Sequence, residues 1–286
     1  MSLVVKQIQE KVGVTADGIW GPKTQAAVAA KLGVENMPGS IQRAVGAKVD
    51  GIIGEKTHAA ILEKLGGHKE APKSFEVKHI FVDPGHTSDY GREHPAQFTA
   101  VDWSIGKAKK VADLLGFKRE TNDSIEHILN VKIAKAFTKH LEARGIKVTY
   151  YDDPSLSNNA EISQVYRRAN ASGADLLVSI HNNAAGASGW KSLNCKASGS
   201  VGLYKAGSIK GRLYADKLTD AITSLRKRTN GPDNRANHSM TSTVAVLTKS
   251  TITACLIEVG FYDNIEDLLW MAEHVDEIGA SMANCI

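Results

Sequence analysis

An α/β domain, with a largely parallel sheet flanked by helices, is predicted over residues 77–286, preceded by a small all-α domain over residues 1–66. Three observations predict it. An internal repeat is confined to the first 66 residues. From Val77 onward, short strand-like runs alternate with helix-like patterns. The composition, 42% hydrophobic and 23% charged, is that of an ordinary globular chain able to bury a core.

The repeat comes first in the chain. DGIWGPKTQAAV at 17–28 recurs as DGIIGEKTHAAI at 50–61, offset by 33 without a gap. Ile8-Gln9, Val12-Gly13 and Lys31-Leu32-Gly33 recur with it, so 15 of 26 positions match across residues 8–33 and 41–66. Each copy reads as a short helix, an Asp-Gly turn and a second helix, with Thr24 and Thr57 as expected N-caps. One copy has too little to bury, so two are expected to make one domain. Residues 67–76, GHKEAPKSFE, read as a polar linker.

Beyond the linker, strands are predicted at 77–82, 146–151, 175–181, 200–204, 244–247 and 254–259. Helices are predicted at 104–115, 160–172, 208–227 and 264–283. Another is marked by Leu129, Ile133, Phe137 and Leu141 recurring every fourth residue, with Gly145 as its C-cap. In such sheets, sites gather beyond the carboxyl ends of strands. There the chain places His86, after Asp83-Pro84-Gly85, and His181, at the end of DLLVSIH. Glu258 lies within the apolar run ACLIEV, where a carboxyl is costly to bury without a partner or a task.

These residue types point to a metal. A catalytic zinc commonly takes three His, Asp or Glu ligands and leaves a fourth position open. His86 and His181 supply two, and Glu126 is the candidate third, sharing a helical face with Asn130 and Ile133. Spacing alone leaves open whether Glu126 is a ligand or a solvated carboxylate at a helix N-terminus.

Bulk properties exclude several other classes. No apolar run is long enough to span a bilayer, so no transmembrane segment is expected. The net charge of +4 is spread along the chain, unlike the clustered basic face of a nucleic-acid protein. Cys195, Cys255 and Cys285 form neither a disulfide framework nor a CxxC zinc pattern. MSLVVKQIQEKVG lacks the apolar core of a secretory signal, so synthesis and first residence in the cytoplasm are expected.

Two resemblances sharpen this reading. Residues 4–66, with the DGxxGxxT turn twice, resemble the peptidoglycan-binding domain at the ends of bacterial and phage wall hydrolases. That resemblance implies anchoring to the wall, with Asp17, Trp20, Asp50 and the turn glycines shaping the surface and Trp20 either core or sugar platform. DPGH at 83–86, EHILNVKIA at 126–134, ANASGADLLVSIHNNA at 169–184 and CLIEVGFYDN at 255–264 resemble the signatures of the zinc-dependent N-acetylmuramoyl-L-alanine amidases of the amidase-3 type. SIHNN and LIEVGF are the most specific of these pieces.

The second resemblance implies that His86, Glu126 and His181 bind Zn²⁺, with Glu258 as catalytic carboxylate. The implied reaction hydrolyses the amide between N-acetylmuramic acid and L-alanine of peptidoglycan. Together the two resemblances suggest an endolysin-like enzyme that reaches the wall after release from the cytoplasm. A zinc peptidase cutting within the stem peptide, or an inactive wall-binding protein, are the competing readings.

Two departures stand out. Val165 occupies the place where the family often has an arginine, with Arg167 and Arg168 nearby. The segment 87–125 is much longer than the usual loop there, with a helix expected at 104–115 and otherwise loose polar sequence. It is expected to be a substrate wall, a lid or decoration, the wall being favoured. His94 within it and His127 at its border are alternative zinc ligands.

Overall fold

The structure is a computed structural model, and it describes residues 2–66, 76–87, 98–118, 124–153, 155–186, 192–232 and 238–286. The side chains of Leu3, Asn158 and Asn159 fall outside this description. The predicted linker lies almost wholly outside the described residues, as does His94. The chain divides into two compact units, Met1–Glu76 and Val77–Ile286.

The first unit holds α1 (Leu3–Val12), α2 (Pro22–Leu32), α3 (Pro38–Ala44) and α4 (Glu55–Lys64) around a core containing Ile8, Val28, Ile41 and Ile61. The repeated Gln and Asp-Gly explain each other. Gln9 Nε2 donates to Asp17 Oδ1 at 2.8 Å and to Ile19 O at 3.0 Å, and its Oε1 accepts from Gly18 N at 2.8 Å. Gln42 makes the same three bonds to Asp50, Ile52 and Gly51 at 2.7, 2.9 and 2.9 Å. One side-chain amide thus closes each turn, and Gly18 and Gly51 supply the left-handed backbone, φ 74° and 77°, that the turn requires.

Thr24 and Thr57 are not the N-caps. Gly21 and Gly54 occupy those positions, while Thr24 is buried and accepts a hydrogen bond from Gln9 Nε2. Thr57 Oγ1 donates to Ile52 O instead. Trp20 packs against the core and lies 4.7 Å, centroid to centroid, from the His58 ring, which favours its packing role.

The second unit is built on six strands: β1 (His79–Asp83), β2 (Lys147–Tyr150), β3 (Leu176–Asn183), β4 (Val201–Tyr204), β5 (His238–Thr241) and β6 (Thr253–Phe261). Their order is β2-β1-β3-β6-β4-β5. The first four in that order run parallel; β4 is antiparallel to β6, and β5 is parallel to β4. The helices are α5 (Gly106–Leu115), α6 (Ile125–Glu142), α7 (Asn158–Ala171), α8 (Ile209–Arg228), α9 (Ala245–Thr248), α10 (Ile265–Glu273) and α11 (Val275–Asn284). β1 is buried along its whole length, which is why it reads as a continuous apolar run. Gly145, φ 76°, provides the left-handed turn just past the end of α6.

Two predicted elements differ. The run at 244–247 is not a strand: it forms α9, whose Val246 and Leu247 pack into a cluster with Phe81, Val165 and Leu177. A four-residue apolar run does not distinguish a buried strand from a buried helical turn. The edge strand β5 lies instead at His238–Thr241, where three of four residues are exposed and the apolar signal is absent. The helix predicted at 264–283 is two, separated at His274 (φ −120°, ψ 27°), with neither Pro nor Gly to announce the break.

The described part of the long insertion, residues 98–118, is packed rather than loose. Phe98, Val111, Leu115 and Phe117 are buried, and the Trp103 ring lies 5.7 Å from Phe98 and 4.7 Å from Phe117. Phe98 also meets Tyr262, just after β6.

Candidate metal centre

β1 ends in Asp83, and the chain then turns so that His86 adopts a left-handed backbone with φ 66°. Positive φ at a residue with a side chain is uncommon and costs of order 1 kcal/mol or more, a strain found chiefly where function demands it. The preceding Gly85 is required by space. A Cβ there would come within 1.9 Å of His181 Nε2. The DPGH turn therefore lets its backbone lie directly against one histidine while presenting another.

Glu126 sits in the first turn of α6, capped by Ser124, whose Oγ accepts from His127 N at 3.2 Å. It is 3% exposed, so the solvated-carboxylate alternative is excluded. His181 lies in β3 and stands opposite Glu258 of β6 in the parallel register. His86 Nε2 is 3.2 Å and His181 Nδ1 3.6 Å from Glu126 Oε1. The two imidazoles meet edge to face at 4.7 Å. One ligand atom from each of the three residues lies within 4.8 Å of the other two, and this is the one such cluster among the described residues. His127 lies outside it, with Nε2 3.8 Å from Asp152 Oδ1.

The donor set fits a zinc ion. Bonds of ~2.0–2.2 Å put two ligands of one ion at most ~4.4 Å apart, so the cluster needs to contract by only a few tenths of an ångström. Burial pushes the Glu126 carboxyl up, but the His86 charge and hydrogen bonds from His181 and His86 outweigh it and bring it down to about 2. The two imidazoles thus favour the ionised form of Glu126, the form a ligand must take.

Glu258 is different. It is not in the ligand cluster, and burial pushes its carboxyl up to about 7, with Glu126 adding to the rise and His181 and His86 opposing it. Its Oε2 is buried without a hydrogen-bond partner among the described residues. A carboxyl so poised titrates in the range suited to acid–base work.

The strand just after Glu258 is gripped through its backbone. Arg226 and Asp267, 1% and 0% exposed, pair at 3.0 Å. Val259 O accepts from Arg226 Nη2 at 3.1 Å and from Ser200 Oγ at 2.7 Å. Phe261 N donates to Asp267 Oδ2 at 2.9 Å. Gly260 between them has no room for a Cβ, which would lie 2.5 Å from Arg226 Nη2.

Sequence reasoning missed the polar frame around the cluster. Asn130 Nδ2 donates to Gly85 O at 2.8 Å, and Asn182 Nδ2 to Asn130 Oδ1 at 2.6 Å. Asn182 N reaches Glu126 Oε1 at 3.4 Å. The signal was there in part, since Asn130 lies one helical turn beyond Glu126 and Asn182 directly follows His181. Asp83 is buried and accepts from Ser179 Oγ at 2.6 Å. Burial raises both Asp83 and Glu161, and the Asp83 charge raises Glu161 further, so Glu161 keeps the proton between them. Val165 is core, and the Arg168 guanidinium lies 4.8 Å from the centre of the Tyr151 ring.

Known proteins share this architecture. The amidase from Clostridium difficile 630 matches with a TM-score of 0.52 at 24% identity, covering 73% of this chain and 94% of that one. The catalytic domain of the CD27L endolysin targeting Clostridia difficile matches with a TM-score of 0.50 at 22% identity, covering 73% and 96%. These likenesses show the fold. No curated protein matches the chain. Residues 80–286 match the family described as N-acetylmuramoyl-L-alanine amidase, Amidase_3. That match runs from the second residue of β1 to the end of the chain and takes in all three clustered residues, and the chain belongs to the Amidase_3 family of N-acetylmuramoyl-L-alanine amidases.

Proposed function

We propose that this peptidoglycan amidase is a zinc enzyme in which His86, Glu126 and His181 hold Zn²⁺ and Glu258 carries the proton. The observation that supports this most is the pairing of a compact His-Glu-His cluster with a buried carboxyl outside it, standing in register with His181. Zinc, when bound, supplies Lewis acidity that acidifies water and polarises the scissile carbonyl. Glu258, ionised, accepts the proton of the attacking water at its free carboxylate oxygen and then returns it to the departing amine of L-alanine. His86 and His181 are orientated by the turn at Gly85, and Asn130 and Asn182 fix that turn against α6.

The repeat unit at 1–66 is, in this reading, the wall anchor, and the whole protein lyses cell walls. An endolysin-like route, with synthesis in the cytoplasm and action after release, belongs to the same reading.

Mass spectrometry of digested peptidoglycan, beside metal analysis of the purified chain, tests the proposal. Glycan with free lactyl groups and intact stem peptides, with one zinc per chain, is the expected result. Peptides cut between stem residues would replace the amidase reading by the peptidase one, and absence of turnover by a zinc-loaded chain would leave a wall-binding protein.

A further inference from the structure

A cleft of about 760 Å³ opens beside the strand ends and is not used by the proton chemistry above. Its size is that of a ligand site. One wall is α10, through Glu266, Leu269 and Glu273; another is the segment 192–198 that follows β3. The walls are stitched together: Ile265 N donates to Leu193 O at 3.1 Å and Cys195 N to Asp263 O at 3.1 Å. Two lining residues with side chains, Leu193 and Asn230, hold left-handed backbone at φ 55° and 51°. Such strain persists where the surroundings impose it, and it recurs at ligand sites.

Charge tells what the cleft takes. By themselves its lining residues Lys196, Glu266 and Glu273 would leave it one unit negative. The insertion changes this. α5 packs on α10, and its Lys107 and Lys110 pair with Glu266 and Glu273. Lys196 is exposed and has no ion-pair partner among the described residues, so the docked insertion leaves it as the uncompensated charge of the cleft.

Reach tells what part of the substrate arrives. Asn264 lines the cleft six residues after Glu258, so at ~3.5 Å per residue the cleft begins within about 20 Å of the catalytic carboxyl. A stem peptide of four or five residues, starting at the cleaved amide, spans roughly 13–18 Å. Its carboxylates are its anionic groups.

Resting on the amidase reading, we infer that this cleft receives the acidic stem peptide, that Lys196 binds its glutamyl α-carboxylate, and that α5 of the insertion makes the cleft anion-selective through Lys107 and Lys110. The described part of the insertion, through α5, therefore acts on substrate choice by way of α10.

The test is binding of L-alanyl-γ-D-glutamyl-L-lysine to the full-length protein, beside the same peptide with the glutamyl α-carboxylate amidated. Lys196→Glu, at an exposed position, should weaken the acid form at least about tenfold, the scale of a lost charge-assisted hydrogen bond, and the amidated form by less than about twofold. Lys107→Ala/Lys110→Ala should weaken the acid form several-fold at low ionic strength, with the effect fading at ~1 M salt, where the screening length is near 3 Å. Zinc content and the folded circular-dichroism spectrum should stay at wild-type values in both variants. Unchanged affinity in Lys196→Glu, or an equal loss for both peptides, would overturn the inference. Failure of the wild-type protein to cut the lactyl amide would instead overturn the function proposed above, while peptide binding would still report on the cleft.

Discussion

Replacing Glu258 by Gln is expected to stabilise the metal-free protein while disabling the enzyme, and the size of both effects follows from burial. The carboxyl titrates near 7 in the fold against an ordinary 4.5, a rise caused first by desolvation. At 1.36 kcal/mol per pH unit, that rise makes the ionised group cost about 3 kcal/mol of stability. The sign is fixed by linkage. Below pH 4.5 the carboxyl is protonated in both folded and unfolded chains and costs nothing extra. Between 4.5 and 7 the unfolded chain gives up its proton first, so stability falls as pH rises, and above 7 the loss is complete. Gln cannot ionise, so the variant escapes it. Calorimetry of EDTA-treated protein at pH 8 should show the variant melting roughly 6–12 °C higher, at ~2–4 °C per kcal/mol for a domain of this size. The gain should vanish near pH 4.5. Turnover of the zinc-loaded variant should fall at least ~10²-fold with zinc retained. A variant that melts lower than wild type at pH 8, or gains equally at both pH values, would refute the burial argument. Near-normal turnover would remove Glu258 from the mechanism.

His86→Ala and His181→Ala, and Glu126→Ala with them, should each lose bound zinc and activity, since two ligands hold the ion poorly; elemental analysis after dialysis checks this. Gly85→Ala should lower zinc content in a chain that still folds, because the added methyl would lie 1.9 Å from His181 Nε2; circular dichroism beside metal analysis separates the two. Removing residues 1–76 should leave a folded amidase that still cuts soluble muropeptides and sediments poorly with purified sacculi, since the two units are separately compact. Equal sedimentation of full-length and truncated protein would dismiss the anchor.

The strands that carry the site were legible because they are buried along most of their length and read as short apolar runs that hold or end in a polar residue. His86 and His181 stood out as polar residues at strand ends, Glu126 was named as the third ligand only by the family resemblance, and the structure places the three side chains together. The repeat was legible because its two turns reuse the same glutamine clamp. What escaped was decided by tertiary partners. Val244–Leu247 is helical because it fills a gap against Phe81 and Leu177, which no local pattern encodes. The insertion looked loose because Phe98, Trp103 and Phe117 are far apart in sequence and show no period, yet their rings close on one another. Asn130 and Asn182 were quoted within motifs, but their mutual hydrogen bond depends on how α6 crosses β3.

The clamp on the end of β6 has a consequence for genetics. A group that must take a proton and then surrender it works best without a standing partner, and Glu258 Oε2 has none among the described residues. Its aim is set instead by Arg226, Ser200 and Asp267, gripping the peptide groups that follow it. In a screen for chains that fold yet fail to digest walls, these three positions should therefore recur beside the histidines, although their side chains hold protein backbone and not the ion. Such a screen would draw the outline of a catalytic site larger than the set of residues that perform the chemistry.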